Sequence, residues 1–140
     1  MQNKLILNKI LGKTISLNFS GFSIDTRTIK KGNLFLAIKG KKIDGNKFAN
    51  IALKKGAGCV ILSKNSKKNN KKIINVKNSI SLLNNFAKFK RKLSLAKVIA
   101  VTGSAGKTSL KNLIKDLLHN FGKTCFSSKS FNNHLGVPIS

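Results

Sequence analysis

A chain of 140 residues has room for one ordinary domain, or for a small domain and the start of another, and its 41% hydrophobic content excludes a disordered tail. Its 28 basic residues outnumber 3 acidic ones, a net charge of +25 that attracts anions in general. Arg27 and Arg91 are the only arginines, however, and base reading and forked phosphate contacts favour arginine, so the scattered lysines point to a solvated surface and away from a dedicated nucleic-acid or membrane binder.

From the N-terminus, Leu5, Ile6, Leu7, Ile10 and Leu11 share one helical face and predict a short helix over Met1 to Leu11. Its apolar run is too broken for a signal peptide, and no stretch of the chain is long and apolar enough for a membrane span. Phe22 to Asp25 predicts a short strand. Leu34 to Ile38, a continuous apolar run after the turn Lys31-Gly32-Asn33, predicts a buried one. A helix is expected from Asn46 to Lys55, ended by Gly56. Cys59 to Leu62 and Ile73 to Val76 predict two further strands, joined by the polar, lysine-rich loop Ser63 to Lys72. Asn78 is placed to cap a helix that carries Leu82, Leu83, Phe86, Phe89 and Leu93.

Arg91 to Ala96 marks a boundary, which gives a first domain over residues 1–94 and a second from residue 95. Lys97 to Val101 predicts a strand. Leu110, Leu113, Ile114, Leu117, Leu118 and Phe121 recur at the spacing of a strongly amphipathic helix, ended by Gly122, and Lys123 to Ser127 predicts another strand. Strands alternating with helices argue for an α/β architecture with parallel strands. Cys59 and Cys125 lie far apart with no metal-ligand spacing, as expected of reduced thiols in a cytoplasmic protein.

The sharpest signal is Thr102-Gly103-Ser104-Ala105-Gly106-Lys107-Thr108-Ser109, between a predicted strand and a predicted helix. Glycines let successive backbone N–H groups turn inward toward phosphate oxygens, and the following helix offers its positive end to the same anion. Gly103, Ser104, Ala105, Gly106, Lys107, Thr108 and Ser109 are therefore the expected set for the phosphates of a nucleoside triphosphate, which the family resemblance below implies is ATP. Lys107 and Thr108 carry the chemistry, Lys107 as a charge on the terminal phosphates and Thr108 as a hydroxyl ligand to Mg²⁺. The longer form GxxxxGK[ST] would need glycine at position 101, where Val101 stands, so the loop has the short form GxxGKT. Such a loop names no reaction by itself.

Four segments in order resemble the Mur ligases: this short loop; Asp25-Thr26-Arg27; Gly32-Asn33-Leu34-Phe35-Leu36-Ala37-Ile38-Lys39-Gly40 followed by Asp44-Gly45 and Phe48; and Phe131-Asn132-Asn133-His134-Leu135-Gly136-Val137-Pro138. The resemblance implies a small substrate-binding domain over residues 1–94 and the beginning of a parallel-sheet ATP-binding domain over 95–140. It implies an ATP- and Mg²⁺-dependent, ADP-forming amide ligase of peptidoglycan precursor synthesis, cytoplasmic and monomeric. Asp25, Thr26, Arg27, Asp44 and Gly45 are expected near the UDP end of a muramyl substrate, and Asn132 and Asn133 where substrate meets the second domain. The last segment points to the branch that joins D-Ala-D-Ala to UDP-MurNAc-tripeptide.

Plainer readings stand beside these roles. Asp25 and Arg27 form an ion pair in one, Asp44-Gly45 is only a turn, and Asn132 and Asn133 order a loop. The chain contains no glutamate. The acidic metal ligand and the remaining ATP contacts of the family are implied beyond Ser140, so the chain is expected to be an N-terminal portion that does not ligate alone. The rival readings are a family member that adds a different amine, and a basic nucleic-acid-binding module.

Overall fold

The computed structural model describes residues 2–40, 43–63 and 70–127. The chain divides into two compact units that meet between Arg91 and Lys92.

In the first unit, helix α1 covers Gln2–Leu11, strand β1 Phe22–Ser23 and strand β2 Leu34–Leu36. A 3₁₀ turn over Gly45–Phe48 leads into α2, Ala49–Lys54. Strands β3, Cys59–Leu62, and β4, Ile73–Asn75, precede the long helix α3, Ser79–Leu93. The four strands form one parallel sheet in the order β1-β2-β3-β4. Asn78 caps α3 as expected: its Oδ1 accepts from the N–H groups of Ile80 at 2.9 Å and Ser81 at 3.0 Å.

Every residue of β2 and β3 is buried, the pattern of a sheet covered on both faces. Phe35, Ala37, Val60 and Leu62 pack with Ala49 and Ala52 of α2. Period-two alternation sends Leu34, Leu36, Cys59 and Ile61 to the opposite face. Phe22, in register with Leu34, joins them there, and its ring lies 4.4 Å from that of Phe86 in α3. Helix α1 lies beside α3, with the Lys9 ammonium 5.4 Å from the Phe89 ring centroid and Lys90 donating to Asn3 at 3.3 Å.

Several boundaries depart from expectation, among them β4, which ends at Asn75, one residue before Val76. β1 stops at Ser23, two residues early, because the Ser23 hydroxyl accepts from the Asp25 N–H at 3.2 Å and donates to the Asp25 carbonyl at 2.9 Å, which turns the chain. The expected helix from Asn46 starts as the 3₁₀ turn, where the Lys47 N–H reaches only the Asp44 carbonyl three residues back, at 3.2 Å. β2 ends at Leu36, two residues before the expected Ile38.

The second unit contains α4, Lys107–His119. It ends before the expected Gly122, with Asn120 as its cap residue. The strands expected at Lys97 to Val101 and Lys123 to Ser127 do not form. A strand requires a ladder partner, and among the described residues no segment pairs with either of them. Val98 and Ile99 are accordingly more than half exposed, and no residue of α4 is buried. Leu113, Leu117 and Phe121 form an exposed apolar ridge, while Lys111 and Lys115 lie over the Phe126 ring at 5.8 and 5.1 Å.

The cysteines differ in environment. Burial pushes the Cys59 thiol up to about 12, whereas Cys125 is exposed. A disulfide-exchange chromophore at neutral pH is expected to label one thiol per native chain, at Cys125. The second should react only in denaturant, because the thiolate is the nucleophile.

Candidate functional site

The phosphate loop connects an irregular segment to α4. Gly106 sits at φ 74°, in the left-handed region, immediately before the first helical residue. A side chain there would strain the backbone, so glycine is what permits a turn this tight between loop and helix. No side chain caps α4, so its first N–H groups point at the loop without a competing oxygen. Lys107 folds back over the loop and donates to the Gly103 carbonyl and, at 3.0 Å, to that of Ser104. Its ammonium thus stands above the peptide groups expected to cradle phosphate. Thr108 and Ser109 are exposed on the first turn of α4.

A second set of residues follows the carboxyl ends of neighbouring parallel strands, where open α/β sheets take ligands. After β1, Asp25 accepts from the backbone N–H of Arg27 at 2.8 Å and grips its guanidinium at 2.6 to 3.0 Å. The Arg27 guanidinium beside it holds the Asp25 carboxyl below the usual carboxylate range, and the carboxylate raises Arg27 in return. The Arg27 side chain is 87% exposed, so the pair contributes little to stability but orients a cation toward solvent. Lys55, at the end of α2, donates to the Thr26 carbonyl at 2.8 Å and holds the middle of this turn.

After β2, the chain makes a small loop closed by a bridge between Lys39 and Asp44 and by the Gly45 N–H on the Ile38 carbonyl at 3.0 Å. Asp44 caps the 3₁₀ turn through the Asn46 N–H, at 3.0 Å. Asn46 reaches from this loop to the exit of β3, accepting from the Ser63 N–H at 3.1 Å.

Asp25, Thr26 and Arg27 therefore form one turn and Asp44 and Gly45 another, at the exits of adjacent strands. Asn132 and Asn133 lie outside the described residues. Asp116 pairs with its neighbour Lys115 at 2.6 Å and is mostly exposed. Lys55, Asn46 and Ser63 escaped the sequence reading, because their contacts span 29 and 17 residues with no motif between them.

The description "Mur ligase family, catalytic domain" matches residues 18–98, more than half of the chain. The chain belongs to the Mur ligase family. The matched stretch holds the Asp25 and Asp44 turns and stops short of the phosphate loop. Among curated Mur ligases, the UDP-N-acetylmuramoyl-tripeptide–D-alanyl-D-alanine ligase of Rickettsia prowazekii is 43% identical, over 99% of this chain and 31% of its own length. The UDP-N-acetylmuramoyl-L-alanyl-D-glutamate–2,6-diaminopimelate ligase of Clostridium tetani is 35% identical, over 87% of this chain and 27% of its own. The crystal structure of MurF ligase from Thermotoga maritima in complex with ADP superposes with a TM-score of 0.72 at 31% identity, over 85% of this chain and 28% of that one. The chain thus spans about 30% of the length of the Mur ligases it matches. Among the described residues, no helix is long and apolar enough to cross a membrane.

Proposed function

We propose that this chain provides the muramyl-substrate unit and the phosphate loop of a ligase that joins D-Ala-D-Ala to UDP-MurNAc-tripeptide with conversion of ATP to ADP. The domains are assigned as residues 1–94 for the UDP-muramyl end and 95–140 for the nucleotide, in a cytoplasmic enzyme acting as a monomer. The reading rests chiefly on one observation: Lys107 held over a glycine loop at an uncapped helix start, in a family member whose relatives include a ligase of this kind solved with ADP. Two free cysteines fit the reducing cytoplasm.

When bound, ATP and Mg²⁺ supply the phosphoryl group that activates a carboxylate for attack by an amine. Thr108 would hold the metal. Mg²⁺ takes few protein ligands where phosphates bridge it, and one exposed hydroxyl on the first turn of α4 fits that share. Among the described residues no cluster of three His, Cys, Asp or Glu offers an alternative cage. Lys107 neutralises terminal phosphate charge, and the N–H groups from Gly103 to Thr108 orient it. Arg27, steered by Asp25, presents its outer N–H groups to the acidic substrate, with Thr26 in the same turn and Asp44 and Gly45 at the next strand exit. Asn132 and Asn133 are assigned to the substrate side of the second domain.

Calorimetric titration of UDP-MurNAc-tripeptide tests the reading. The parent chain is expected to bind, and Arg27→Ala to bind roughly tenfold more weakly, the loss of about one charge-assisted hydrogen bond. The thermal midpoint should stay unchanged, because the ion pair is exposed. The Asp25 carboxyl, followed by carbon NMR, should titrate upward toward the ordinary range. Asp25 is lowered in the fold, so its small contribution is present above the ordinary carboxylate range and lost as pH falls through its folded value. Parent and variant binding alike would remove Arg27 from the site.

A second reading, a family member that adds the third peptide residue, draws support from the Clostridium tetani relative. Tighter binding of the UDP-MurNAc-dipeptide than of the tripeptide would favour it.

A further inference from the structure

We propose that Asn46 is a positioning residue for the muramyl-substrate site, its carboxamide tying the loop after β2 to the exit of β3 and fixing the Asp44 carboxylate. The proposal rests on the reading that places Asp44 and Gly45 at that site.

The Asn46 backbone N–H already satisfies the Asp44 cap at 3.0 Å. Any residue but proline at position 46 could supply that bond, so the cap does not explain the side chain. The carboxamide does something else. Its Nδ2 donates to Asp44 Oδ1 at 2.6 Å and to the Ser63 hydroxyl at 3.3 Å, while its Oδ1 accepts from the Ser63 N–H at 3.1 Å. Both ends of one short side chain are thereby used, across two connections that are 17 residues apart in sequence.

The placement matters because β2 and β3 are adjacent parallel strands, and both connections leave at their carboxyl ends. The loop is tied to its own strand by the Gly45 N–H on Ile38. Asn46 adds the lateral tie to the next strand. Asp44 Oδ1 receives two N–H donors from this one residue, and hydrogen bonds to a carboxylate are the stronger kind. Asn46 therefore helps to orient the carboxylate and links it to Ser63. Without the carboxamide, the cap remains but the carboxylate loses the Nδ2 donor and the loop its tie to Ser63 at the exit of β3.

The test is calorimetry with UDP-MurNAc-tripeptide on the full chain, with thermal unfolding measured in parallel. Asn46→Ala is expected to weaken binding by roughly tenfold while the thermal midpoint moves only a few degrees. Asn46→Asp, the same size, keeps the acceptor toward the Ser63 N–H but sets a carboxylate against that of Asp44. It is expected to weaken binding more than Asn46→Ala does. Ser63→Ala keeps the N–H and loses only the long hydroxyl bond, so its loss should stay within about threefold. The order Asp, then Ala, then Ser63→Ala supports positioning. Losses that follow the thermal midpoints instead of that order would overturn it, as would parent-level binding by Asn46→Ala and Asn46→Asp. If the parent chain does not bind, the substrate reading itself falls, a result separate from equal binding by parent and variants. Should Asn46→Ala fail to fold, Asn46→Asp against Ser63→Ala still decides.

Discussion

Replacement of Gly45 by alanine is expected to lower the thermal midpoint of the first unit by about 10–20 °C. A methyl group at this position would sit 2.5 Å from the Ile38 carbonyl oxygen and 2.8 Å from its nitrogen. Both neighbours are backbone atoms of Ile38, two residues past the end of β2, so no side chain can swing aside. The Gly45 N–H also bonds the same Ile38 carbonyl, at 3.0 Å, and that bond fixes how closely the two segments approach. Either the bond breaks or the exit of β2 shifts, and overpacking of this kind costs about 3 kcal/mol. Circular dichroism during heating measures it. A shift of only a degree or two would mean that the loop relaxes freely, and that glycine at this position answers to the ligand and not to the fold.

Loss of the Lys107 ammonium is expected to be the largest functional defect. Lys107→Ala should weaken binding of Mg·ADP or Mg·ATP by roughly ten- to a hundredfold, from the 1.5–3 kcal/mol typical of a hydrogen bond to a charged group. The ammonium lies on the carbonyls of Gly103 and Ser104, so it is already over the loop before any phosphate arrives. Arginine should not restore binding, because its flat fork does not replace a compact ammonium over a tight loop. Fluorescent nucleotide displacement provides the measurement. Equal affinity for parent and Lys107→Ala would reduce the loop to a glycine-rich helix start. The helix itself should survive the change, since Lys107 is its first residue and makes no core contact.

The sheet of the first unit was legible in the sequence because its strands are short, continuous apolar runs separated by polar turns. Leu34 to Leu36 and Cys59 to Leu62 needed no alternation to be recognised, being buried on both faces. Helix α3 announced itself through Asn78 and the spacing of Leu82, Leu83 and Phe86. The strand at Lys97 to Val101 was misjudged for a physical reason: apolar composition marks what can pair, while a strand exists only with its partner. The start of α2 was misjudged by a local contest, in which the Asp44 carboxylate and carbonyl bind the next N–H groups before α-helical bonds can form.

The sites divide in the same way. The candidate phosphate loop is contiguous in sequence, so the glycine turn at Gly106 and the helix that starts at Lys107 could be read directly. Asp25 and Arg27 are also local, and their mutual grip follows from two-residue spacing. The ties made by Lys55 to Thr26 and by Asn46 to Ser63 depend on the return of the chain past β2, which no pattern of residue types encodes.

The order β1-β2-β3-β4 bears on how the first unit assembles as it is made. Each strand pairs with the next one in the chain, so no strand has to wait for a distant segment before joining the sheet. The ladder can lengthen by one crossover at a time as the polypeptide leaves the ribosome. The opposite face closes differently: the rings of Phe22 and Phe86, and the bond between Lys90 and Asn3 across 87 residues, join the two ends of the unit. Until α3 emerges, the side of the sheet carrying Leu34, Leu36 and Ile61 lacks the cover that Phe86 and its helix provide, and a nascent chain paused between β4 and α3 is the species most in need of a chaperone.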